Sequence, residues 1–131
     1  MSDGSCPPSL NSLMGGPTER SRQLVEQVER LVLTDARIPI DIAALCRALA
    51  VSERSVRKAF NRVRGLPPHR CLRLLRLSQA RLALASARTH SVTVTEIALA
   101  LGFVELGRFS VEYRKTFGER PSETLRQAAR V

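Results

Sequence analysis

One pattern occurs twice in this chain, and it leaves few architectures open. Asp41-Ile42-x-x-Leu45-Cys46-x-Ala48-Leu49-Ala50-Val51 is matched 52 positions later by Thr93-Val94-x-x-Ile97-Ala98-x-Ala100-Leu101-Gly102-Phe103. Beyond the turn the offset becomes 53, so that Val56 corresponds to Phe109, Phe60 to Tyr113, Gly65 to Gly118 and Pro68 to Pro121. Each copy reads as a capping residue, a short helix, a tight turn of small residues and a second helix, which is a helix-turn-helix. Any pair of antiparallel helices can imitate one copy. Two in register predict an all-α chain with two helix-turn-helix subdomains joined by a linker helix.

Periodicity fills in seven helices. Residues 1–17 are rich in Gly, Pro and Ser without periodicity and read as a disordered leader. Thr18 can cap a first helix, over 18–35, whose Leu24, Val25, Val28, Leu31 and Val32 form one stripe. The first unit spans 36–67. Asp41 caps a helix with Ile42, Leu45, Cys46 and Leu49 on one face, and Ser52 caps a second helix burying Val56, Ala59, Phe60 and Val63 until Gly65 ends it. Pro67-Pro68 opens the linker, 68–90, helical to about 87, with Leu72, Leu75, Ala80 and Leu84 inward. The second unit spans 91–131. Thr93 and Glu96 fit a capping box, a helix from about Glu105 to Thr116 buries Phe109 and Tyr113, and Pro121-Ser122 starts a last helix to about Ala129.

Composition agrees and removes whole classes. Aromatics are 4% and Trp is absent, which disfavours sheet. The longest apolar runs, such as Ile97 to Leu101, are about a quarter of the ~20 residues a membrane span needs, and the first residues lack a signal-peptide pattern. Cys6, Cys46 and Cys71 are widely spaced with no Cys-x-x-Cys, which suits a reducing cytoplasm. His69 and Cys71 alone do not make a metal site. With two histidines in different segments, no phosphate loop and no nucleophile elbow, neither catalysis nor a cofactor is expected.

Charge points to a partner. Lys and Arg number 21 against 12 Asp and Glu, for a net charge of +9. From Arg54 to Thr95 the chain carries Arg54, Arg57, Lys58, Arg62, Arg64, Arg70, Arg73, Arg76, Arg81 and Arg88 and no acidic residue. A globular surface normally mixes signs, so this stretch suits a polyanion such as nucleic acid. On the helix 52–64, Arg54, Arg57, Lys58 and Asn61 project together opposite the buried stripe. Arg and Lys suit guanine edges and Asn suits adenine, although the same face can simply be solvated. The equivalent face of the second unit carries Gly107, Ser110, Val111 and Arg114, with Arg108 on its flank. A linker helix of about 20 residues is roughly 30 Å long, close to the ~34 Å turn of B-DNA, so two such helices can enter successive major-groove segments. Arg73 and Arg76 of the linker can either meet phosphate or pack their stems between the lobes.

Glu96-Ile97-Ala98-Leu99-Ala100-Leu101-Gly102-Phe103, Gly107-Arg108-Phe109-Ser110 and Phe117-Gly118-x-x-Pro121-Ser122 together resemble the signature of the AraC/XylS family of bacterial transcription regulators. The first unit agrees more loosely through Leu45, Ala50, Val51-Ser52, Phe60, Gly65 and Pro68, and Leu75-Arg76-Leu77 with Ala80-Arg81 resembles the family's linker helix. The resemblance covers about residues 36–129. It implies a seven-helix reader of double-stranded promoter DNA, usually recruiting RNA polymerase, active in the cytoplasm at the nucleoid. By position it assigns base contacts to Arg54, Arg57 and Lys58 in the first unit and to Arg108, Ser110 and Val111 in the second. With Asn61, Arg62, Arg114 and Lys115 beside them, these form the candidate DNA-binding set. An aromatic usually stands where this chain has Cys71, which predicts looser packing there. Most members also carry a separate sensor domain, for which some 35 residues of leader and first helix are too few, so the resemblance leaves two expectations: a minimal stand-alone regulator, or the separated DNA-binding half of a longer one. Two other readings remain: a basic protein that coats nucleic acid regardless of sequence, and a helical module for an acidic protein partner.

Overall fold

A computed structural model of the chain describes residues 8–35, 38–87 and 92–129. These residues form seven helices and no strand: α1 Pro8–Thr34, α2 Ile42–Leu49, α3 Glu53–Arg64, α4 Pro68–Ser86, α5 Val94–Ala100, α6 Leu106–Phe117 and α7 Pro121–Ala129. They divide into two units, one of Met1–Val32 with Ile40–Leu72, the other of Leu33–Pro39 with Arg73–Val131. Helix α4 runs through the division.

The repeat is also a repeat of hydrogen bonds. After α2, Ala50 N–H donates to the Arg47 carbonyl at 3.2 Å and Val51 N–H to that of Cys46 at 3.0 Å. After α5, Gly102 N–H donates to Leu99 and Phe103 N–H to Ala98, both at 3.0 Å. Both turns need a left-handed residue, Gly102 at φ 89° in one and Ala50 at φ 57° in the other. Capping differs more. Asp41 and Ser52 accept from the third residue beyond them, and Thr93 and Glu96 complete a capping box, whereas Glu105 starts α6 with no side-chain cap.

In the first unit Val25, Val28, Leu45, Cys46, Val56, Ala59, Phe60, Cys71 and Leu72 are buried. Cys71 is a free thiol that burial pushes up in pKa, and its position is well covered despite the missing aromatic. The second unit buries Leu77, Ala80, Leu84, Ala98, Phe103, Phe109 and Tyr113 in one cluster. Its four aromatics form a ladder, with ring centroids 4.6 Å apart for Phe103–Phe109, 5.8 Å for Phe109–Tyr113 and 4.7 Å for Tyr113–Phe117. The Tyr113 hydroxyl, which burial pushes up in pKa, pairs with the Thr124 hydroxyl at 2.7 Å and ties α6 to α7.

Two expectations are corrected. The leader expected over 1–17 is helical from Pro8 onward, so Thr18 is not a cap (residues 1–7 lie outside the described residues). Leu10, Leu13 and Met14 continue a helical spacing, and Pro8 suits a first helical position; together they prevail over Gly15-Gly16-Pro17. In α4, Leu75 is half-buried while Arg76 and Leu77 are buried. The stripe there runs Leu72, Arg76, Ala80 and Leu84 at strict four-residue spacing, with an arginine in an apolar row.

That arginine has a structural task. Arg76 is 3% exposed and donates to the carbonyls of Leu101 at 3.1 Å, Asp35 at 3.2 Å and Ile38 at 2.5 Å. Burial lowers its pKa, with Asp35 opposing the shift, but a guanidinium remains charged in a protein. It pins the segment before α2 and the turn after α5 to α4.

Candidate nucleic-acid interface

Helix α3 is positioned by what it buries. Val56, Ala59 and Phe60 face inward, Ser52 caps the start, accepting from Ser55 N–H at 3.1 Å, and Gly65 ends the helix at φ 72°. Those contacts fix its rotation, and Arg54, Arg57, Lys58, Asn61 and Arg62 are consequently all exposed. Among them Arg57 holds an ion pair, Nη2 to Glu53 Oε1 at 3.0 Å, with the arginine side chain 62% exposed. Such an exposed i,i+4 pair is worth only ~0.3–0.5 kcal/mol, so an external acceptor can replace it. Lys58 and Arg62, with Arg20 of α1, line an open groove of about 980 Å³ in this unit, which also takes in Ser55 and Ala59. Arg64 lies apart, tied to Glu29 of α1 by Nε at 3.0 Å and Nη2 at 2.8 Å. That bidentate pair raises its pKa and gives it a bracing role between α1 and α3.

Helix α6 is fixed by Phe109 and Tyr113, and Arg108, Ser110, Val111, Arg114 and Lys115 are exposed. Ser110, Val111 and Arg114 share a concavity of about 310 Å³ with Arg120 and Ser122 at the start of α7. Arg108 sits at the other edge of the face, donating through Nε to Glu112 Oε2 at 3.1 Å. The same carboxylate takes a bond from Arg73 Nε of α4 to its Oε1 at 2.5 Å. Burial of Glu112 works against its charge, but the hydrogen bonds from the two arginines outweigh this and hold its carboxyl below the usual range.

The linker arginines therefore separate. Arg76 is internal, Arg73 is 22% exposed in its ion pair with its guanidinium 5.5 Å from the Phe103 ring centroid, and Arg81 lies 4.9 Å over Phe117. These contacts assign Arg73 and Arg76 to packing within the second unit rather than to the outward face. Arg88 lies outside the described residues. Sequence reasoning missed Glu112, whose one signal was its place four residues after Arg108. No group of three or more potential metal ligands occurs among the described residues, and no helix among them is long and apolar enough to cross a membrane.

A family model described as a helix-turn-helix domain matches residues 45–127. The "Probable thc operon regulatory protein" of Rhodococcus erythropolis is 43% identical over 91 residues, covering 70% of this chain and 27% of its own. The XylDLEGF operon transcriptional activator 2 of Pseudomonas putida is 35% identical over 100 residues, covering 76% of this chain and 64% of its own. The chain thus spans between about a quarter and two thirds of the length of these relatives. Among solved structures, a probable AraC family transcriptional regulator from Rhodopseudomonas palustris CGA009 superposes with a TM-score of 0.70 at 40% identity, covering 81% of this chain and 97% of that one. A regulator from Chromobacterium violaceum, described as of the AraC-type DNA-binding domain-containing kind, gives 0.73 at 27% identity, covering 85% and 96%.

Proposed function

This chain belongs to the AraC-type helix-turn-helix family of sequence-specific DNA-binding transcription regulators, and on that premise we propose that it reads bases through the outward faces of α3 and α6. The family is one of regulators and not of enzymes. The observation that carries the proposal is the outward face of α3. Arg54, Arg57, Lys58 and Asn61 are exposed in a row on the second helix of a helix-turn-helix whose opposite side is locked into a core. In the major groove, arginine or lysine there pairs with guanine O6 and N7, and Asn61 with adenine N6 and N7. Arg62 and Lys115 then serve the phosphates. On α6, Arg108 offers its terminal amino groups to a base edge, Ser110 makes single hydrogen bonds, Val111 meets a thymine methyl group, and Arg114 supplies charge.

The relatives named as transcriptional activators support activation as the outcome. In this reading RNA polymerase is a further partner at the promoter, and the protein acts in the cytoplasm at the nucleoid. Selection of bound duplexes from random oligonucleotides, followed by affinity measurements across salt, tests the reading. A sequence-specific regulator yields a defined motif and a gap of ~10³ or more between specific and nonspecific affinity at physiological salt. A protein that merely coats nucleic acid yields no motif and an affinity set by salt alone.

A further inference from the structure

Arg108 is the one candidate reader whose side chain is held from below by a built network. Its Nε–H is spoken for by Glu112 Oε2 at 3.1 Å, while Glu105 Oε1 stands 3.9 Å from Nη1. Glu112 is itself anchored, since its other oxygen takes the bond from Arg73, and Arg73 packs over Phe103 in the core cluster. The chain of contacts thus runs from a buried ring, through α4, to a guanidinium on the outward side of α6. With Nε occupied, the two terminal amino groups of Arg108 keep hydrogens for a partner, which is the donor pair a guanine edge accepts.

We propose that Glu112 is a positioning residue that sets base specificity: it fixes the rotamer of Arg108, so that a long flexible side chain meets one base with its terminal amino groups. The proposal rests on the family reading above, in which α6 faces DNA. Holding the arginine in advance removes part of the rotamer entropy lost when it binds a base. It also accounts for a carboxylate near a surface that should otherwise favour only positive charge. A glutamate there weakens attraction to phosphate everywhere; its bond to Arg73 of α4 braces the unit, and its second oxygen is left to orient Arg108.

That opposition gives the test its discrimination. On the full chain, with the duplex it selects from random oligonucleotides, Glu112→Gln and Glu112→Ala are compared with Arg108→Ala against every single-base change in the site. The expected result is that Glu112→Ala lowers cognate affinity about 5-fold or more and flattens the preference at the base pair that Arg108→Ala also flattens. Glu112→Gln, which keeps an acceptor, retains part of that preference. Nonspecific affinity rises in both, because a negative charge is lost. In the Arg108→Ala background the Glu112 substitutions should leave base preference unchanged. A melting curve of Glu112→Gln close to that of the parent keeps the comparison valid if the alanine variant unfolds. If Arg108→Ala removes a base preference while both Glu112 variants keep it, positioning by Glu112 is wrong and the family reading stands. If Arg108→Ala alters no base preference, the assignment of Arg108 as a reader fails, and this inference with it.

Discussion

Replacing Arg76 with alanine should cost the second unit about 3–5 kcal/mol, from buried carbonyls left without their charged donor and from the space the stem vacates. The figure follows from the three carbonyls it serves. Asp35 O also accepts Ile38 N–H at 3.0 Å, so that carbonyl keeps a partner. The carbonyls of Ile38 and Leu101 lose a charged donor, at ~1–3 kcal/mol each where water cannot fully replace it. The arginine stem also leaves space in the row between Leu72 and Ala80. Relief of the guanidinium's own burial penalty, visible in its lowered pKa, offsets part of this and keeps the sum below a simple total. Arg76→Met separates the parts, because it fills the stem's volume and donates nothing. Urea denaturation followed by circular dichroism should place the methionine variant between parent and alanine, nearer to alanine. A loss under about 1 kcal/mol for Arg76→Ala would mean that the carbonyls of Ile38 and Leu101 do not depend on its donors. Full recovery by methionine would assign the role to packing alone.

Three smaller perturbations test other parts of the structure. Tyr113→Phe removes the bond to Thr124 but leaves Thr124 its contact with Glu119, so thermal denaturation should show a loss of only ~1 kcal/mol; a loss above about 3 would mean the hydroxyl holds more than α7. Ala50→Gly relieves a left-handed alanine at φ 57°, worth ~1–2 kcal/mol, against a greater unfolded-state entropy, so the melting point should rise by a few degrees; a fall would contradict the turn geometry. Glu112 has a lowered folded pKa, so its contribution is fully present above the unfolded value of ~4.3 and is lost as pH falls through the folded value. Glu112→Gln should accordingly flatten the acid limb of a stability–pH profile below about pH 4.3, and an unchanged slope would remove the carboxylate from that account.

The repeat made most of the fold legible in sequence, because caps and turns are local chemistry. Asp41, Ser52, Thr93 with Glu96, Gly65 and Gly118 all stand at helix ends where their side chains or φ values are needed. The outward face of α3 was legible for the same reason, since the stripe of Val56, Ala59 and Phe60 fixes rotation. What escaped depended on distant partners. Arg76 and Arg73 look like any other arginines in a basic stretch, and only the carbonyls of 35, 38 and 101, or the carboxylate of Glu112, distinguish them from phosphate contacts. The extension of α1 to Pro8 was hidden behind Gly15-Gly16-Pro17, where local breakers and helical spacing disagree.

Base reading by α3 is most directly measured with Arg57→Ala on the selected duplex and on an unrelated one. Arg57 is exposed and surrenders only a weak pair with Glu53, so melting should not change. Cognate binding should weaken by ~1–3 kcal/mol with preference lost at one or two adjacent base pairs, while nonspecific binding falls far less. An equal fall on both duplexes, with every base preference intact, would contradict base readout by this helix.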